Sequence, residues 1–401
     1  MTERLDNDHS QDTPEAEQLI KDRRDFHMHP ELGYTEQRTA RVVSERLEQY
    51  GYDVKRGVGR TGVVGLLRGA GGGQAGRTLL LRADMDGLPI QEENRVDYVS
   101  QNAGVMHACG HDAHVAIGLA VAKRLMSERE RIRGNVKFAF QPAEEGGNGA
   151  VAMIDDGVLE APAVSAAVGL HVWNNLPVGK VGIRAGAVMA AVDEFNLTVQ
   201  GRGGHGALPH QTVDALVTAA QVVTALQTIV SRNVSPLDSV VVTVGKFSAG
   251  NAFNIIADTA TLRGTVRTFS EETHRDIPVM FERVVRGVCE SMGATYHLDY
   301  KRQTIPLVND EGVSDLVAEE AAGVVGPENI IRDESVRTMG GEDMSYFLER
   351  VPGSFFFLGT RNEARGLVHP HHSPKFDIDE SALQIGVEIM TRVARRFLSA
   401  D

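Results

Sequence analysis

The 401-residue sequence predicts an α/β fold, a central mixed, largely parallel sheet with helices on both faces, plus an inserted ferredoxin-like α+β domain. Three observations carry this. Apolar strand patterns alternate with helical ones in the first part of the chain. Near residue 192 the rhythm changes to β-α-β-β-α-β. After about residue 300 the first rhythm returns. The expected boundaries are 1–183 and 301–401 for the two parts of the first domain and 184–300 for the insert.

Taken in order, residues 14–50 carry apolar residues at helical spacing and read as helices broken at HPELG by Pro30 and Gly33. TGVVGLLRG (61–69) and RTLLLRADMD (77–86) read as strands. The Gly-rich GAGGGQAG between them reads as a loose hairpin tip, because it lacks the strand–GxGxxG–helix context of a dinucleotide site. A helix of small residues runs from His111 to about Arg129. VKFAFQPAEEGG (136–147) is a buried strand ending in carboxylates, a helix follows near 148–157, and AAVGLHVW (166–173) is a strand ending in a histidine. In the insert, 193–201, 238–247, 257–269 and 294–301 are strands, and 214–232 and 271–293 are amphipathic helices. SFFFLGT (354–360) is a core strand and 379–398 the last helix.

Composition narrows the function. A formal charge of −13 argues against a nucleic-acid partner, which needs a basic face. No apolar run approaches the roughly 20 residues of a membrane span, so no membrane association is expected. The opening MTERLDNDHSQDTPEAEQ lacks the apolar core of a signal peptide and reads as a short disordered tail. The two cysteines, Cys109 and Cys289, lie far apart with no export signal in view, which predicts free thiols and a cytoplasmic protein.

The chemistry-bearing residues gather at predicted strand ends, where α/β folds place their sites. HACGHDAH offers His107, Cys109 and His111; PAEE offers Glu144 and Glu145; GLHV offers His171; HPHHSPKFD offers His369, His371 and His372. Thiolate, imidazole and carboxylate are the donors that borderline divalent metals take. Cys109 suits a ligand better than a nucleophile, since His111 sits two residues away across Gly110, on a tight turn fit for joint binding of one cation or two neighbouring ones. Cys289, inside a helix, reads as buried filler. Of Glu144 and Glu145, one can bind metal while the other takes a proton from water. Asp84 and Asp86 can be ligands or can orient one. In the insert, His205 lies among glycines, and Arg267 can clamp a substrate carboxylate, with Asn254 nearby in NAFNII.

Together RADMDGLPI, HACGHDAH, QPAEEG, GLHV, GRGGHGALPH, AFNIIAD, GTVRTF, GGEDMSYF and HHSPKFDID resemble the bimetallic, metallopeptidase-like amidohydrolases: hippurate hydrolases, N-acyl-amino-acid amidohydrolases and indole-acetyl-amino-acid hydrolases. The likeness runs from about residue 17 to 398 with the motifs in order. It implies that Cys109, His111, Glu145, His171 and His372 hold two divalent ions, manganese first, with zinc, cobalt or nickel as alternatives. It implies that Glu144 is the general base, that Asp86 steadies a ligand, that His205 stabilises an oxyanion, and that Asn254 and Arg267 lie near the substrate's carboxylate. The implied reaction is hydrolysis of the amide bond of a small N-acyl amino acid. The insert is implied to act as a lid and as the surface of a homodimer. Three other readings stand beside it: a dipeptidase or carboxypeptidase of free peptides, a non-catalytic metal-dependent binding protein, and a cysteine hydrolase.

Overall fold

The computed structural model describes residues 13–70 and 76–399, so the expected N-terminal tail and most of GAGGGQAG lie outside the described residues. The chain forms two compact units. The first comprises the chain up to Gly186, Asn309–Val336 and the chain from Phe347; the second comprises Ala187–Val308 and Arg337–Tyr346.

The first unit is built on an eight-stranded sheet with helices on both faces. Its helices α1 (Pro14–Met28) and α2 (Gln37–Tyr50) precede strands β1 (Asp53–Val58), β2 (Gly62–Arg68) and β3 (Thr78–Asp84). Helix α3 (His111–Ser127) leads to β4 (Asn135–Gln141), and β5 spans Ala166–Pro177. The order is β1-β2-β4-β3-β5, then the strand Gly353–Arg361 and two short strands, Val181–Gly182 and Ile330–Ile331. The centre is parallel, β4 with β3, β3 with β5, and β5 with Gly353–Arg361, whereas β1, β2 and β4 pair antiparallel. The strands flanking GAGGGQAG are therefore not hairpin partners. β3 needs a parallel neighbour reached through a helical crossover, and β4, delivered by α3, takes the place between β2 and β3.

Parallel strands are covered on both faces, and their sequences show it: every residue of β3 and β4 is buried. Helix α3 is also buried over most of its surface, from His111 to Leu125. Small residues permit this. At Gly118 a Cβ would already sit 3.0 Å from the Phe140 ring. Phe355, Phe356 and Phe357 are all buried, each removed from water at a gain of about 1.5–3 kcal/mol.

Above the start of α3 lies a buried ionic network. Arg23 of α1 is 0 % exposed and donates to Asp112 (2.8 Å), Asp377 (2.8 Å) and Glu380 (3.3 Å). His27, one turn on, meets Asp112 at 2.8 Å and Glu92 at 3.2 Å. The network ties α1 to the first turn of α3 and to the segment that follows His372. Burial and the Arg23 cation push the His27 imidazolium down, but Asp112 and Glu92 outweigh them and hold it up to about 9. Such a network is costly to break, since removing one partner leaves uncompensated buried charge.

The second unit is a four-stranded antiparallel sheet in the order Val240–Ala249, Thr259–Thr268, Ala191–Gln200, Thr295–Thr304. The helices Ala215–Thr228 and Glu271–Ser291 pack on it, and Cys289 is fully buried in their shared core. This is the expected β-α-β-β-α-β order. The unit reaches beyond the expected 184–300 because Thr295–Thr304 pairs along Ala191–Gln200 as far as Thr304. It also takes in Arg337–Tyr346, whose Thr338 and Gly340 bond the backbone of Val188 and Ala190. One expectation needs correction. Ala215–Asn233 is long and apolar enough to cross a membrane by length and composition. Its stripe of Ala215, Ala219, Val222 and Leu226 instead packs into the core of the unit.

The His27 site makes stability depend on pH. Its folded pKa of about 9 lies above the ordinary value, so its contribution is complete below about pH 6.5 and is lost as pH rises through 9. The metal-free protein should lose on the order of 1–3 kcal/mol across that window in urea titrations. The His27→Gln variant should be less stable at pH 6 and should lack this slope.

Candidate metal centre

The parallel strands β4, β3 and β5 end on one side, and the donors stand there. β3 ends at Asp84, with Asp86 two residues beyond. β4 leads through Pro142 and Ala143 to Glu144 and Glu145. His171 sits within β5, where the register sets it level with the end of β3. Cys109 and His111 arrive from the loop that opens α3, and His372 from the chain after Gly353–Arg361.

Gly110 makes the Cys109–His111 pairing possible. It caps α3 at φ 89°, a left-handed conformation, and a Cβ there would lie 2.3 Å from Val172 Cγ2. The turn directs both side chains into one space. The donor atoms of Cys109, His111 and His171 lie within 4.8 Å of one another, as do those of Cys109, Glu145 and His372, and those of His111, Glu144 and Glu145. Sharing Cys109, His111 and Glu145 among these groups joins all five expected ligands and Glu144 into one cluster. The His372 backbone N–H, bonded to Ala108 O at 2.8 Å, fixes that end.

The donor set fits divalent cations. Both ring nitrogens of His111 and Oε1 of Glu145 are buried without a hydrogen bond, and have only ion-pair contacts, to Asp86, Asp84 and His372 at 3.2–3.6 Å. Each such group costs about 1–3 kcal/mol unless something compensates, and a cation would do so. His171 donates from Nδ1 to Val172 O at 2.6 Å, which leaves Nε2 as the acceptor, hydrogen-bonded by Cys109 Sγ at 3.4 Å. Burial, with His114 and His371 beside it, holds His171 neutral. His111 is opposed by burial, but Asp84, Asp86 and Glu145 hold it up to about 10, a measure of how negative the pocket is. Burial and the carboxylates Glu145, Glu144 and Asp84 push the Cys109 thiol well up. A thiol in that field is a poor free nucleophile, whereas a bound cation makes it a thiolate ligand. The ligand reading of Cys109 therefore gains over the nucleophile reading.

The two aspartates divide. Asp84 bonds Nδ1 of His114 and accepts from Arg82 at 2.6 Å, while His114 Nε2 accepts the Val172 N–H at 2.9 Å. Both His114 nitrogens are thus engaged, and the pair braces the floor under His171. Asp86 accepts the backbone N–H groups of Glu144 and Glu145, each at 3.0 Å, and its Oδ1 lies 3.3 Å from His111 Nδ1. Of the late histidines, His372 joins the cluster, its Nε2 3.2 Å from Glu145 Oε1. His371 stacks on Trp173 and accepts the Asn174 N–H at 3.2 Å. His107 is buried outside these groups, with burial pushing it down to about 4. The bracing role of His114 went unread in the sequence; its only signal was a position three residues after His111 on a helix start.

In the second unit His205 is exposed on the short strand Gly204–His205, paired with Ile255–Ile256, and its Nδ1 accepts the Ala207 N–H at 3.1 Å. Asn254 is close by, its carbonyl accepting from Gly206 at 2.9 Å. Arg267 stands on the sheet face away from the helices. It bonds Thr265 Oγ1 at 3.0 Å and lines a cavity of about 430 Å³ with Lys246, Arg263, Glu194 and Asp299.

A thiol–imidazole–carboxylate cluster at the ends of parallel strands, buried at Cys109, His111 and His171 and open to solvent at His372, with a second glutamate in Glu144, is a site of the kind that metal-assisted hydrolysis uses. The chain belongs to peptidase family M20/M25/M40, whose pattern it matches over residues 80–396. It is 46 % identical over 296 residues to the N-acyl-L-amino acid amidohydrolase of Geobacillus stearothermophilus, covering 73 % of this chain and 79 % of that one. It is 40 % identical to the IAA-amino acid hydrolase ILR1-like 4 of Arabidopsis thaliana, covering 95 % of this chain and 86 % of that one. Among solved structures it resembles the Bacillus subtilis YXEP protein, described as a dinuclear metal binding peptidase, with a TM-score of 0.81 and 32 % identity over 96 % of this chain and 98 % of that one.

The Gly110 turn gives a direct check. Gly110→Ala should at least halve the manganese retained after loading and desalting, read by elemental analysis. Far-ultraviolet circular dichroism should remain close to that of the parent.

Proposed function

We propose that the protein hydrolyses the amide bond of N-acyl amino acids, with aliphatic or aromatic acyl groups, to a carboxylic acid and a free amino acid. The convergence of His111, Glu144 and Glu145 beside Cys109, His171 and His372 is the observation that carries this. Cys109, His111, Glu145, His171 and His372 would hold two divalent ions, manganese in the first instance. When bound, these would supply Lewis acidity to the amide carbonyl and acidify water. Glu144 then takes the proton of the attacking water and returns it to the leaving amine. Asp86 keeps His111 and the backbone of Glu144 in place. We assign oxyanion stabilisation to His205, and recognition of the substrate's carboxylate to Asn254 and Arg267.

The names of the amidohydrolase relatives support the N-acyl substrate. A second reading, cleavage of free peptides, is favoured by a relative named Thermostable carboxypeptidase 2 from Saccharolobus solfataricus, 38 % identical over 94 % of this chain. We further infer a cytoplasmic homodimer formed through the second unit. The exposed Leu216, Val217 and Val230 on one of its helices, and Phe253, are apolar surface that a second copy would cover.

The test is chelation followed by restoration with manganese, zinc or cobalt, and an assay of amine release from hippurate, N-acetyl amino acids, indole-acetyl amino acids and dipeptides. Manganese should restore cleavage of acylated substrates, and Glu144→Gln should retain metal while losing about 10²–10⁴-fold in kcat. Faster cleavage of dipeptides bearing a free amine would favour the second reading. Inhibition by a thiol alkylator but not by a chelator would sink both. Size-exclusion chromatography with light scattering should give twice the chain mass, and Leu216→Glu with Val217→Glu should halve it.

A further inference from the structure

The acidic turn after β4 presents three successive backbone N–H groups, from Ala143, Glu144 and Glu145. Asp86 accepts the second and third. The first goes elsewhere: Ala143 N donates to Glu36 Oε1 at 2.8 Å. Glu36 directly precedes α2 without capping it through its side chain, is 0 % exposed, and takes the Thr61 hydroxyl on its other oxygen at 2.5 Å. Ala143 itself sits at φ 48°, ψ 48°, a left-handed conformation that a residue with a Cβ adopts only under constraint. Consecutive amides in such a turn form a cradle for negative charge, and here two carboxylates from different segments fill it. The segment carrying Glu36 grips the far end of the turn as well, since Tyr34 OH donates to Gly147 O at 2.7 Å.

We propose that Glu36 is a positioning residue for hydrolysis: by accepting the Ala143 N–H it holds the left-handed turn that aims Glu144. The inference rests on the reading of Glu144 as general base. Without the acceptor, Ala143 relaxes toward a right-handed conformation and the Glu144 side chain swings with it. Ground-state binding, which Glu36 does not touch, is unaffected. The acceptor oxygen matters and the charge does not, because the partners are an amide and a hydroxyl.

The test compares Glu36→Gln, Glu36→Asp and Glu36→Ala with the parent and Glu144→Gln, all loaded with manganese and assayed on the best-cleaved N-acetyl amino acid. Glu36→Ala and Glu36→Asp, which remove or withdraw the acceptor, should lose about 10- to 100-fold in kcat with KM changed less than about threefold. Their manganese content should equal that of the parent. Glu36→Gln keeps an oxygen for Ala143 and should stay within about threefold of the parent kcat. In the metal-free proteins, deuterium uptake in a peptide spanning 138–150 should quicken for Ala and Asp but not for Gln. Where Glu36→Ala does not fold, Glu36→Asp decides. Parental kcat in Glu36→Asp, or a loss in Glu36→Gln as deep as in the others, overturns the proposal. Full turnover in Glu144→Gln would remove the base reading instead, and is told apart because the Glu36 variants would then quicken exchange while leaving kcat unchanged.

Discussion

Three segments distant in sequence meet at the carboxylate of Asp86: the loop just after β3 that bears it, the start of α3 at His111, and the turn carrying Glu144 and Glu145. Each contact is modest. Together they hold the His111 imidazole in register with the adjacent Glu144 and Glu145 carboxylates, more than 30 residues further along the chain. A carboxylate suits this place because two of its partners are backbone N–H groups, which any side chain on the turn would present equally. The position of the cluster thus rests on main-chain hydrogen bonds, while its chemistry rests on side chains.

The cluster concentrates negative charge in a buried pocket, which the fold tolerates through compensation at several distances. Arg82 sits against Asp84, and Arg23 gathers Asp112, Asp377 and Glu380 one layer further out. The histidines are sorted by their surroundings. His114 has both nitrogens engaged and serves as a brace, and His171 keeps one lone pair facing Cys109. His111 has neither nitrogen hydrogen-bonded and lies deepest among the carboxylates. Such a pocket attracts cations and disfavours a free thiolate at Cys109.

Much of this was legible in residue order. The alternation of strands and helices, the insert near residue 192 and the candidate donors that the fold brings together could be read because hydrophobic periodicity and donor type are local properties. The separation of β2 from β3 by β4 could not be, because strand adjacency is decided by the crossover through α3, and nothing local to GAGGGQAG records it. The extent of the insert was short for a similar reason: Arg337–Tyr346 joins the second unit by backbone bonds to residues some 150 positions earlier.

The sequence by itself determined the fold class, the donor types on offer and the glycine at 110, since each is written in the pattern or identity of contiguous residues. Only the tertiary structure decided which aspartate steadies the turn, which of His371 and His372 faces Glu145, and that Glu36 and Arg23, ordinary charged helix residues to the eye, are wholly buried. A charged side chain is placed by the partners that compensate its loss of water, and those partners come from segments that meet only when the chain has folded.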